Sequence, residues 1–404
     1  MIPAAGMPHV VLLRDLGEVR ELLADMRVSA GGVKLMDKKA LFRVVRVKGL
    51  DIRAANILKQ EMLSRGGEVA TSREVYELDG SSAECLVMGT LVQYERLLPK
   101  LRQQPFGLRA LADSMAAVLS SIDGGPAPCH PGLDFSRRPR IMGILNVTPD
   151  SFADPGVHFD REVAIRGAWR MVDEGADIID VGGETTKPGS VPTSLEEELG
   201  RVLPVVQALA GDLPAPLSID TYKAEVAAKA LAAGAFMIND ISALRFDPEM
   251  VAVLRDADCP VILMHMLGQP RTMQENPVYE NVVEDVYAFF VERLVWAVDN
   301  GLKEENLLID PGIGFGKTLA HNLALIRALP TFRSLGRPVV LGASRKRFIG
   351  EILGLADAPD RVYGTIATSV VATLDEVEMV RVHDVRQNAE AVRLARAIAP
   401  TGDE

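Results

Sequence analysis

The stretch Ile141-Met-Gly-Ile-Leu-Asn-Val-Thr-Pro-Asp-Ser-Phe152 decides how the chain is read. Apolar residues around Gly143 make a short buried-strand run, and at Asn146 the chemistry turns to amide, hydroxyl, proline and carboxylate. A strand that is apolar first and polar at its C-terminal end is the pattern of a parallel barrel or doubly wound sheet at its functional edge. Pro149-Asp150-Ser151 is also ordinary turn chemistry, so the choice depends on whether the pattern repeats.

It does. After the run at 141–145, apolar runs recur at 178–181, 217–219, 236–238, 261–264, 307–309, 339–341 and 379–382. Helical spacing fills the gaps, at 160–174, 194–209, 223–233, 248–257, 281–300, 319–329, 346–374 with a break near Pro359, and 385–398. Eight alternating units over 139–404 predict an α/β fold of the (β/α)8 TIM-barrel type, with functional groups on the C-terminal ends of the strands.

Residues 1–125 read as a separate small α/β domain. Spacing predicts strands at 9–13, 41–47 and 83–88, and helices at 16–26, 52–64, 91–102 and 107–120. Lys38, Lys39, Arg43, Arg46 and Lys48 fit a solvated strand face better than an anion site. Residues 126–138 are a linker, for the stretch 123–132 holds three prolines and three glycines.

Composition narrows the function. With 48% hydrophobic and 25% charged residues the chain is a globular protein, and no apolar run approaches the roughly 20 residues that span a membrane. The start lacks a basic n-region, so a cytoplasmic location is expected. Cys85, Cys129 and Cys259 have neither metal-site nor disulfide spacing. A net charge of −11 argues against a nucleic-acid surface and leaves a small anionic substrate open.

The strand ends carry Asn146; Gly182-Gly-Glu-Thr-Thr-Lys-Pro-Gly-Ser190, a lid-like loop; Asp220; Asn239-Asp240; His265 after Met264; Asp310 to Thr318; Ser344-Arg-Lys-Arg347; and Arg381-Val-His-Asp384. Asp220 is either a helix cap or a site residue, and His265 either a core histidine or a site residue. The stretch Gly312–Thr318 resembles a phosphate-binding loop, but Pro311 occupies the position of its first glycine, and the triphosphatase reading is rejected. Asp220, Asn239, Asp240 and Asp310 suit a flat, donor-rich heterocycle. Asn146, Lys346, Arg381 and His383, on strands that closure makes neighbours, suit an anion such as a diphosphate.

On these motifs, in this order, residues from about 133 to 400 resemble the dihydropteroate synthase family of pterin-binding enzymes. The resemblance implies condensation of 6-hydroxymethyl-7,8-dihydropterin diphosphate with 4-aminobenzoate, giving 7,8-dihydropteroate and diphosphate in folate biosynthesis. It implies Lys346, Asp310, Arg381 and His383 as catalytic residues, and Asp220, Asn239, Asp310, Met264, Phe315 and Lys346 around the pterin. Asp154, Thr186, Lys187, Pro188 and Ser344 would serve the aminobenzoate and the loops; Asn146, Arg381 and His383 the diphosphate; and Asn146 a Mg²⁺ cofactor. A homodimer is the family tendency, and the stretch 360–374 fits either that or barrel packing. Two departures stand out: Lys187 where arginine is usual, and Pro155-Gly156 where a glycine pair is usual. The alternatives are a pterin-dependent methyltransferase and a non-catalytic pterin-binding protein.

Overall fold

The computed structural model describes residues 9–77, 82–123, 128–137, 139–148, 161–185 and 192–399. The chain divides into two compact units, Met1–Gly124 and Gly125–Ala399. No helix among the described residues is long and apolar enough to cross a membrane.

The first unit is a three-stranded antiparallel sheet, β1 (Phe42–Asp51), β2 (Glu68–Thr71) and β3 (Ser82–Thr90), in the order β1-β3-β2. Its core joins Leu58 and Met62 of the helix Ile52–Leu63 to Tyr94, Leu97 and Leu101 of the helix Leu91–Leu101, all fully buried. The buried Tyr94 hydroxyl donates to the carbonyl of Val87 at 2.6 Å, which ties that helix to β3. One expectation changes here. Residues 9–13 form no strand, and Val10 and Leu12 lie exposed. Of the basic cluster, Lys38, Arg43 and Arg46 pair with Glu95, Asp123 and Glu84. The helix Ala30–Ala40 and the edge strand β2 are additions that their weak apolar spacing concealed.

The second unit carries eight parallel strands: β4 (Arg140–Asn146), β5 (Ile178–Gly182), β6 (Leu217–Asp220), β7 (Met237–Asp240), β8 (Val261–Met264), β9 (Leu307–Asp310), β10 (Val340–Leu341) and β11 (Met379–Val382). They run β10-β11-β4-β5-β6-β7-β8-β9, and a parallel bridge between Ile309 and Val339 joins the two ends. The result is a nearly closed (β/α)8 barrel in which each expected run is a strand and helices alternate with them.

Side-chain alternation along each strand sorts the barrel into two apolar clusters. Ile141, Ile179, Val181, Leu263 and Ile309 point outward against the helices. Met142, Ile178, Met237, Ile262, Leu308, Val340 and Met379 point inward and pack with Leu133 and Phe135 as a floor. Two residues further along the same inward rows come Asp180, Asn239, Asp310 and Arg381, so a polar layer rests on an apolar one. Ile262 is fully buried in that floor. Ile262→Ala is therefore expected to cost about 2–5 kcal/mol, read as a lower urea midpoint for the barrel's transition.

Candidate active site

The centre of the barrel mouth is Arg381. Its Nε donates to Asp180 Oδ2 at 2.6 Å and its Nη2 to Asp220 Oδ2 at 2.7 Å. Asn239 Nδ2 donates to the same Asp180 oxygen at 3.1 Å. Asp180 is fully buried, and its Oδ1 has no hydrogen-bond partner. Burial pushes Asp220 above the usual carboxylate range, and the Arg381 guanidinium opposes the shift. The same burial is outweighed at Arg381, which the two carboxylates hold firmly as a cation.

This geometry settles Asp220 as a barrel residue, since the following helix, Ala224–Ala232, takes Lys223 as its N-cap residue and Asp247 as the acceptor for its Ala224 N–H. It also joins what the residue types alone separate. Arg381, grouped above with the diphosphate side, is bonded to Asp220 on the heterocycle side, because inward side chains of a small barrel reach across to other strands. Asp180 escapes a search of strand ends because it sits inside an apolar run; its charge within Ile-Ile-Asp-Val was the available signal.

Asp240 is corrected as well. Next to inward Asn239 it points the other way, and accepts the backbone N–H groups of Ser242 at 2.7 Å and Leu244 at 2.8 Å. It holds a loop in which Ala243 and Leu244 adopt positive φ, and does not face the barrel interior.

Asp310 and Lys346 form the next side of the mouth. Asp310 Oδ1 accepts the Gly312 N–H at 2.7 Å, and burial raises its carboxyl above the usual range against the pull of Lys346. Gly312 cannot be replaced here: φ is +67°, and a Cβ would lie 1.9 Å from the His265 carbonyl oxygen. Lys346 donates to the Ile313 carbonyl, and its ammonium lies 4.5 Å from the Phe315 ring centroid. Burial lowers Lys346 to about 8, with Asp310 opposing. The turn that delivers Lys346 requires Arg345 at φ +56°, held by a two-pronged bond to Asp384 at 2.9 and 2.5 Å.

Ser344 and His383 are one unit. Ser344 Oγ accepts the His383 N–H at 3.1 Å and lies 2.9 Å from His383 Nδ1. The hydroxyl and Nδ1 share one hydrogen bond, whose direction follows the tautomer of the ring. Burial, then Arg345 and Arg381, hold the imidazole down to about 3. His383 is thus neutral and not a cation. Around the heterocycle side, Met264 belongs to an apolar cluster with Ile241, Met266 and Met273, edged by Tyr222, Phe246 and Phe315.

Asn146 ends β4 beside Gly182, where an added Cβ would sit 3.7 Å from both Asn146 Oδ1 and Asp220 Oδ2. Of these two oxygens, Asp220 Oδ2 already accepts from Arg381, which leaves Asn146 Oδ1 as the one with room for a hard cation that keeps most of its waters. Among the described residues no group of three or more His, Cys, Asp or Glu side chains could hold a metal. Asp154, Thr186, Lys187 and Pro188, with the loop stretches proposed to move around them, lie outside the described residues.

A closed α/β barrel whose mouth sets buried carboxylates, an amide and two cations beside an apolar wall defines an enzyme that holds a flat, polar-edged ring. Residues 142–383 match the family described as pterin binding enzyme. The dihydropteroate synthase of Synechocystis sp. is 46% identical over 265 residues, covering 66% of this chain and 92% of the relative. The Xanthomonas albilineans dihydropteroate synthase in complex with 7,8-dihydropteroate is 42% identical, with a TM-score of 0.61, covering 68% of this chain and 98% of that one. A probable bifunctional folylpolyglutamate synthase/dihydropteroate synthase of Halobacterium salinarum is 39% identical over 390 residues, 96% of this chain but 47% of that protein. The chain belongs to the dihydropteroate synthase family of pterin-binding enzymes.

Asp180→Ala tests the centre of the mouth. It leaves Arg381 with one carboxylate and Asn239 without its acceptor, an expected loss of about 3–5 kcal/mol in barrel stability by urea unfolding.

Proposed function

We propose that the protein is a dihydropteroate synthase: it condenses 6-hydroxymethyl-7,8-dihydropterin diphosphate with 4-aminobenzoate, releasing diphosphate. The observation that carries this is the Asp180–Arg381–Asp220 bridge, with Asn239 on one flank and Asp310 and Lys346 on the other. Carboxylates accept the N–H groups of a guanidine-like pterin edge, and Asn239 and Lys346 serve its carbonyl and ring-nitrogen acceptors. Met264 and Phe315 cover the ring faces.

The reaction breaks a carbon–oxygen bond to diphosphate and makes a carbon–nitrogen bond to the aminobenzoate, whose amine loses a proton. The His383 imidazole and the Arg381 guanidinium face the charge that builds on the departing oxygens. Asn146 Oδ1 would hold Mg²⁺, which when bound neutralises that charge. Asp310 stabilises positive charge on the pterin side as the bond to oxygen lengthens. Ser344 orients His383, and Asp154, Thr186, Lys187 and Pro188 are assigned to the aminobenzoate and its loops. A methyltransferase would have no use for an imidazole and a guanidinium placed for a diphosphate.

Pairing of two copies rests on the helix Val362–Leu374. It turns Thr365, Ser369, Ala372 and Thr373 inward, and leaves Val362, Ile366, Val370 and Leu374 half-buried and Val371 exposed. Buried Ser369 and Asn388 hydrogen-bond at 2.7 Å, so the polar side faces the neighbouring helix Val385–Ile398, while Tyr363 and Val371 lie exposed. A homodimer covering this face is proposed, with Val370→Glu expected to convert it to monomer in light scattering. Three free cysteines and no membrane-crossing helix among the described residues fit a reducing compartment, and the cytoplasm is proposed.

Purified protein with both substrates and Mg²⁺ is expected to form dihydropteroate; diphosphate binding without product would instead indicate a non-catalytic binder. Because Lys346 is cationic below about 8 and neutral above, pterin affinity by calorimetry is expected to fall as pH rises through about 8. A flat profile there would remove Lys346 from the pterin contacts.

A further inference from the structure

Lys317 closes the glycine-rich stretch that resembles a phosphate loop, yet it is only 3% exposed. Its Nζ lies 2.9 Å from His265 Nδ1, 2.9 Å from the Phe315 carbonyl oxygen and 3.4 Å from the His265 carbonyl oxygen. All three partners are neutral, and burial pushes the amine well below its ordinary range. Burial, then Lys317 and Arg245, hold His265 down to about 2, so its ring is neutral. A lysine for phosphate points its head at the ligand; this one points into the protein.

What it touches is the peptide of Phe315, whose N–H is bonded in turn to the Gly312 carbonyl at 3.1 Å. Other side chains hold the neighbouring peptides: Gln274 binds the Gly314 carbonyl at 2.5 Å and Tyr279 the Gly316 carbonyl at 2.9 Å. Lys317 is the side chain that grips Phe315 itself. Phe315 carries the ring under the Lys346 ammonium, and Lys346 is bonded to the same loop at Ile313.

We propose that Lys317, with His265, is a positioning residue for the pterin: it fixes the Phe315 peptide, and through it the ring against which the heterocycle and the Lys346 ammonium are set. It is not a phosphate ligand. This rests on the synthase reading for the identity of the ring and on the hydrogen bonds above for everything else.

The test is a double-mutant cycle on Lys317→Met and Phe315→Leu, reading calorimetric Kd for 6-hydroxymethyl-7,8-dihydropterin, which carries no phosphate. Each single variant is expected to weaken pterin binding about tenfold, and the double variant to match Phe315→Leu within about twofold, because Lys317 acts through Phe315. Losses that multiply to about a hundredfold would overturn the proposal, since residues that act independently add in free energy. Binding of inorganic diphosphate with Mg²⁺ is expected to change less than about twofold in Lys317→Met; its loss would make Lys317 a phosphate ligand after all. If Lys317→Met does not fold, Lys317→Gln keeps donors for part of the cluster and runs the same cycle. In steady state the KM for pterin diphosphate is expected to rise while the KM for 4-aminobenzoate holds; equal changes in both KM values would overturn the assignment. Wild-type protein that binds pterin but makes no dihydropteroate would sink the synthase reading and leave the Lys317 cycle interpretable.

Discussion

One guanidinium holds the mouth of this barrel together. Without Arg381, Asp180 and Asp220 would be two carboxylates on adjacent strands in a low-dielectric interior, where repulsion drives one to take up a proton. A lysine would bring one point charge, whereas the planar fork of arginine serves acceptors on two strands at once. The three residues come from β5, β6 and β11, so closing the barrel and assembling the site are the same event. The register that sets Arg381 opposite Met142 on β4 aims the guanidinium over that strand toward Asp180 and Asp220.

The layer beneath makes this arrangement possible. The apolar floor fills the barrel, excludes water from below and leaves the polar layer one exit, toward the C-terminal mouth. Above it, backbone conformations that are costly on their own are pinned by neighbours. The positive φ of Arg345 is held by Asp384, that of Gly312 by close packing on His265, and the Ala243-Leu244 turn by Asp240. These bonds make the loops that carry Lys346 and Phe315 parts of a rigid frame.

Much of the barrel is legible in the sequence because parallel strands buried on both faces read as continuous apolar runs, and each of the eight has one. Asp220, Asn239, Asp310, Lys346 and Arg381 stand where those runs end, and the structure brings them to one mouth. Asp180 is less visible for the opposite reason: it lies within a run, two residues from an inward Ile178, and only the alternation shows which way it faces. Asp240 looks like Asp220 in a list of strand-end carboxylates, and the same alternation separates them. In the N-terminal unit, β2 has four residues with one buried side chain, too short for a period to register. Residues 9–13 have the composition of a strand but no partner strand in the sheet.

The apolar wall of the mouth is rich in thioethers. Met264, Met266 and Met273 form its buried part together with Ile241, and Met142, Met237 and Met379 lie in the floor below. Unbranched, polarizable side chains let such a wall remould itself around rings of slightly different outline, which a wall of β-branched residues would resist. The same choice ties the enzyme to its redox surroundings. Oxidation of one thioether to the sulfoxide would set a strong dipole into this apolar wall without any change to the charged residues beside it.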